Sequence, residues 1–112
     1  MDNTKDNKYY VKKIITDLSF IIEHTKDLNL GVLEENEILL HSVMFRLIQI
    51  SENSDKLTEE FKIYHSNIPW RAMKGMRNRI VHEYGNVDMS VVYDTIIKDI
   101  PELLAELETI KE

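Results

Sequence analysis

The chain has 112 residues, no cysteine and a net charge of −6. A disulfide framework and a thiolate zinc site are excluded, and the length allows one domain, residues 1–112, around a single modest core. With 43% hydrophobic and 30% charged residues and few glycines and prolines, the composition is that of a folded chain, not a disordered one. The polar start Met1-Asp2-Asn3-Thr4-Lys5-Asp6 carries no apolar stretch of the signal-peptide kind. No apolar run reaches membrane-spanning length, because charges such as Lys12, Lys13 and Glu23 interrupt them. A soluble, cytoplasmic protein is expected.

The elements read as helices throughout, with no convincing strand. Val11, Ile14, Ile15, Leu18, Ile21 and Ile22 recur at helical spacing and predict a first helix from about Thr4 to Lys26. Gly31 is the expected left-handed stop after it. A second long helix is predicted from about Glu34 to Asn53, with Ile38, Leu39, Val43, Phe45, Leu47 and Ile50 facing inward. Thr58 is an N-cap candidate for a short third helix. Ser66-Asn67-Ile68-Pro69 breaks the chain, and Pro69 suits the first turn of a fourth helix running to about Tyr84, where Gly85-Asn86 ends it. Asp88 can cap a fifth helix over Met89 to Asp99, and Pro101 opens a last helix or kinks the fifth into it. Short connections between amphipathic helices make this an all-α, antiparallel bundle of about five to six helices.

The charge is uneven. From Trp70 to His82 there are four cations, Arg71, Lys74, Arg77 and Arg79, and no acid, so the −6 chain carries −10 elsewhere. An acidic protein is not a general nucleic-acid coat, but a local basic patch can still meet a phosphate. At about 100° per residue, Met73, Met76 and Ile80 share the core face of this helix, and Lys74, Asn78 and His82 share another, with Arg71 close by. Arg77 falls between the two faces, beside Trp70 and Val81.

These residue types suit a reaction on a phosphodiester. A guanidinium grips two phosphate oxygens and keeps its charge at working pH. A histidine gives or takes a proton near neutrality. Asn78, one turn before His82, could orient it or hold a phosphate oxygen. RNA supplies its own nucleophile, the 2′-hydroxyl, so an acid, a base and a cation suffice without a metal cofactor. One histidine is short of an acid–base pair, which leads to the expectation of a symmetric homodimer with a composite cleft. The residues alone also admit blander roles: His82 as a partner of the helix dipole, the cations as a solvated face, Tyr84 as a helix-end packing residue. His24, His41 and His65 lack metal-ligand spacing.

Arg77-Asn78-Arg79-Ile80-Val81-His82 resembles the Arg-x4-His signature of HEPN domains. Its extension His82-Glu83-Tyr84 looks like the HepT branch of ribonuclease toxins. Ile68-Pro69-Trp70, Gly75-Met76 and Arg46-Leu47-Ile48-Gln49-Ile50-Ser51-Glu52 are similar in the same way, so the resemblance covers most of the chain. It implies a HEPN-like helical fold and a metal-independent endoribonuclease toxin of a type VII-like toxin–antitoxin system. The implied catalytic residues are Arg77, Asn78 and His82, with Arg71, Lys74 and Arg79 as RNA-binding candidates. The implied partners are RNA, a second copy of the chain and a minimal, MntA-like nucleotidyltransferase antitoxin that silences the toxin by AMPylation of Tyr84. An alternative is a non-catalytic nucleotide- or phosphate-binding subunit of a nucleotidyltransferase. A third is a purely structural interaction protein. Glu52 either approaches the site from the second helix or is simply an exposed acid.

Overall fold

A computed structural model describes the backbone of residues 6–82 and 88–110, and the side chains of residues 6–78 and 88–110. The chain is all-helical over these residues. Asp6 takes the N-cap position by accepting the Tyr9 amide at 3.0 Å, and helix α1 follows as Asn7–Thr25. The predicted start at Thr4 lies outside the described residues. Val11, Ile14, Leu18 and Ile21 form the buried stripe of α1, as their spacing predicts.

The next stretch departs from expectation. Gly31 is not a left-handed stop. It sits inside a short helix α2, Leu30–Glu35, and no described residue has positive φ. The Asn29 carboxamide explains this, because it accepts the Val32 amide at 2.8 Å and starts a helix where the glycine was expected to end one. Asn36 ends α2 and caps helix α3, Glu37–Asp55, through the Leu39 amide at 3.1 Å. The long helix therefore starts three residues later than predicted.

Within α3 two inward assignments also fail. Ile38 is 86% exposed and Phe45 59% exposed. At seven-residue spacing these two share a side opposite Val43, Leu47 and Ile50, which are buried together with Met44. Helix α3 packs against α1 on one flank and against helix α5, Trp70–His82, on the other. Between them runs helix α4, Glu59–Tyr64, capped by Thr58 on the Phe61 amide. Asn7 and Thr58 exchange hydrogen bonds of 3.2 and 3.0 Å, which ties the start of α1 to the start of α4.

Asp88 caps helix α6, Met89–Asp94, by accepting the Ser90 amide at 3.0 Å. Helix α6 then runs without a break through a π turn, Thr95–Asp99, into helix α7, Ile100–Leu107. The Ile100 amide reaches back to the Thr95 carbonyl, five residues away. Pro101 has no N–H and its ring would strike the Ile97 carbonyl of an ordinary α turn, so a wider turn removes the conflict. Pro101 thus stands in the first turn of the last helix, as one reading expected, and the fifth helix runs into it through the π turn. The Tyr93 hydroxyl donates to the Leu28 carbonyl at 2.7 Å and holds this rod over the α1–α2 corner. One cluster of buried side chains draws on every helix except the short α4, which contributes partly buried Phe61. Among the described residues no helix is long and apolar enough to cross a membrane.

Candidate functional site

Helix α5 is held at its start by the turn before it. Ile68 is buried, and the Pro69 carbonyl accepts the Met73 amide at 3.2 Å, which makes Pro69 the N-cap rather than the first helical residue. The Trp70 indole N–H is shared between the Lys62 and His65 carbonyls, both at 3.1 Å. That bond fastens the first turn of α5 to the end of α4. Met73 and Met76 are buried, as predicted, and fix the rotation of α5 about its axis. Ile80 shares their sequence face, but its side chain lies outside the described residues.

Helix α3 adds two contacts. The buried Ser51 hydroxyl donates to the Lys74 carbonyl at 3.0 Å, a side-chain bond made directly to the backbone of α5. One residue on, the Glu52 carboxylate pairs with Nε of Arg77 at 2.7 Å. With Nε engaged, the two terminal nitrogens of the guanidinium keep their fork for a second anion. Arg77 and Glu52 are each about half exposed, at 47% and 43% of the side chain, so the pair stands at the surface rather than in the core. Glu52 thus reaches Arg77 across the α3–α5 contact while staying partly exposed. Sequence reasoning missed Ser51, although the resemblance of the Arg46–Glu52 segment had marked its neighbourhood.

Asn78, Arg71 and Lys74 are exposed. Arg71 and Lys74 border a cleft of about 600 Å³ between α4 and α5, which Lys62, Trp70 and Ile68 also line. The structure therefore brings Arg77, Asn78, Arg71 and Lys74 onto one helix with exposed side chains. The side chains of Arg79 and His82, and all of Tyr84, lie outside the described residues. Gly75 sits mid-helix beside these groups, where glycine costs roughly 0.5–1 kcal/mol relative to alanine. Among the described residues, apart from the helix's own backbone and adjacent residues, no atom comes within 4 Å of where its Cβ would be.

Two of the remaining histidines have local aromatic partners. His24 stacks on Phe20 at 4.0 Å with Nδ1 2.9 Å from the Phe20 carbonyl, and His65 packs against Phe61 and Tyr64. Among the described residues no group of three or more His, Asp or Glu is placed to hold a metal ion.

Comparison with known proteins gives this geometry a setting. The family model for ribonuclease HepT-like proteins matches residues 14–110. A candidate RNase of Caldanaerobacter subterraneus subsp. tengcongensis is 31% identical over 95% of this chain and 95% of its own length. The ribonuclease HepT candidate of Thermococcus cleftensis is 30% identical over 96% of this chain and 98% of its own. A Methanocaldococcus jannaschii protein described as a gamma-glutamylcyclotransferase and candidate RNase is 32% identical over 96% of this chain, which spans 49% of it. No solved structure matches.

Proposed function

Since this chain belongs to the ribonuclease HepT-like family, we propose that it is a metal-independent endoribonuclease acting through Arg77, Asn78 and His82. The observation that carries the reading is the Arg77 guanidinium, exposed and steadied at 2.7 Å by Glu52 on a helix with no acid of its own. The 2′-hydroxyl of RNA attacks the adjacent phosphorus. The 2′-oxygen–phosphorus bond forms, the bond to the 5′-oxygen breaks, and a 2′,3′-cyclic phosphate results. The base takes the hydroxyl proton, and the acid returns one to the departing 5′-oxygen. Arg77 neutralises charge on the phosphoryl oxygens as it builds. Asn78 orients a phosphate oxygen or the imidazole.

One histidine per chain serves one of the two proton transfers, so the working site is a cleft between two copies. Ile38 and Phe45 support this, because they expose apolar surface on the side of α3 that carries Glu52 seven residues further on. Tyr84, two residues beyond His82, is the point of control. A cognate nucleotidyltransferase antitoxin, MntA-like, transfers AMP from ATP to its hydroxyl, with pyrophosphate as the leaving group, and places bulk and negative charge beside the phosphate path. The setting is a cytoplasmic toxin–antitoxin pair.

The test is cleavage of single-stranded RNA by the purified chain with a chelator present. Wild-type protein should cleave, and His82→Ala should lose about 10²- to 10⁴-fold. Sedimentation should give a dimer. Coexpression with the cognate nucleotidyltransferase should add the mass of AMP to wild type and not to Tyr84→Phe. Tight nucleotide binding with no RNA cleavage by wild type would instead identify a non-catalytic binding subunit.

A further inference from the structure

We propose that Gly75 is the point where the RNA backbone lies directly on α5, from which the strand continues into the cleft between α4 and α5. This rests on the ribonuclease reading above and names the path of its substrate. The first observation is the glycine itself. It weakens the middle of a helix, yet among the described residues nothing comes within 4 Å of the missing Cβ to require it. Packing among the described residues does not call for a glycine there, so we take the closeness it permits to be to something outside the chain.

Charge selects that something. Positions 71, 75, 78 and 82 fall within about 60° of one another around α5. Arg71 and Asn78 are exposed there, one turn to either side of Gly75. The helix has four cations and no acid. Two copies of such a helix in backbone contact would press like charges together, whereas a phosphodiester backbone is the complement of this face. The cleft supplies the continuation. Lys62, Arg71 and Lys74 stand at its walls, and Asp55 and Glu59 limit their excess to one charge. The fixed Trp70 indole offers a surface for an unstacked base. A single strand fits these features better than a duplex, whose bases stay stacked inside it.

The experiment compares wild type with Gly75→Ala on a cleavable RNA oligomer and on its 2′-O-methyl counterpart, which lacks the nucleophile. Because Trp70 is the chain's single tryptophan, its fluorescence reports occupancy of the cleft directly. Wild type should bind the 2′-O-methyl oligomer with a change in Trp70 emission. Gly75→Ala should raise Tm by about 4 °C, since the added methyl meets open space and favours the helix. It should at the same time weaken oligomer binding about 10-fold and lower kcat/KM by about 10- to 100-fold. The oligomeric state should not change.

If Gly75→Ala binds and cleaves as wild type does, the inference is overturned and the ribonuclease reading stands. If wild type binds the oligomer in a Gly75-sensitive way but cleaves nothing, the inference stands and the catalytic reading falls. A lower Tm, or a loss of dimer with the substitution, would assign Gly75 to internal packing or to a second copy and overturn the inference. Absence of oligomer binding by wild type overturns both.

Discussion

Helix α3 carries two ion pairs six residues apart, nearly equal in length and opposite in surroundings. Arg46 meets Asp17 of α1 at 2.8 Å, with side chains 27% and 11% exposed, and its guanidinium lies 3.8 Å from the centre of the Phe20 ring. Glu52 meets Arg77 of α5 at 2.7 Å with both side chains about half exposed. The first pair is roofed by an aromatic and largely shielded from water. The second faces solvent and leaves an arginine with donors to spare. Distance alone does not separate a structural pair from a functional one; the difference lies in what else could reach the cation.

The largest effects come from breaking each pair in turn. Arg77→Ala should lower RNA cleavage by about 10³-fold while moving Tm by no more than about 2 °C, because a surface pair contributes little to stability. Arg46→Ala should do the reverse. It strands Asp17 and removes the cation from Phe20, at a cost of about 3 kcal/mol or roughly 10 °C in Tm. Cleavage per folded molecule should stay within about twofold of wild type, since the site is distant. Thermal melts and initial rates on both variants decide the matter. A catalytic loss in Arg46→Ala below its melting range, or a large loss of stability in Arg77→Ala, would erase the distinction.

A smaller effect sharpens the second pair. Glu52→Gln keeps an acceptor for Arg77 but drops the charge that competes with phosphate. RNA binding should tighten a few-fold, and its dependence on salt should steepen by about one phosphate's worth, with Tm unchanged. Equal binding and an equal salt slope would make Glu52 a bystander at the surface.

The sequence was informative where one local rule governs the outcome. Helical period placed the stripe of α1 and the buried methionines of α5, and the caps at Thr58 and Asp88 form as their side chains predict. It misled where two rules compete. Gly31 could end a helix, but Asn29 two residues earlier starts one, and the capping bond decides. Ile38 and Phe45 are apolar but keep step with Glu52 rather than with the core, so hydrophobicity alone gave them the wrong side. The site was legible as a motif on α5. The Ser51 strut was not, and Glu52 stayed undecided between a neighbour of the motif and an exposed acid, because both come from a helix more than twenty residues away in sequence. Only the folded α3–α5 contact joins them to the motif.

The finest test sets the enclosed acid of the first pair against a solvated one. Burial pushes the Asp17 carboxyl above its ordinary value of 3.8, outweighing the Arg46 hydrogen bond and the charges of Arg46 and Lys13. Hydrogen bonds from the Ser90 hydroxyl and amide hold Asp88 below the same value. The signs are therefore opposite. Asp17 contributes its stabilising share below pH 3.8 and loses it as pH rises through the raised folded value. Asp88 contributes above pH 3.8 and loses its share as pH falls through the depressed folded value. Relative to wild type, the Tm of Asp17→Asn should improve as pH rises from 3 to 7. That of Asp88→Asn should worsen over the same range. Melts of the three proteins across that range check this. Parallel slopes for the two variants would mean that Asp17 is better solvated than its place beneath Arg46 implies, and the contrast between the two ends of α3 would narrow to geometry alone.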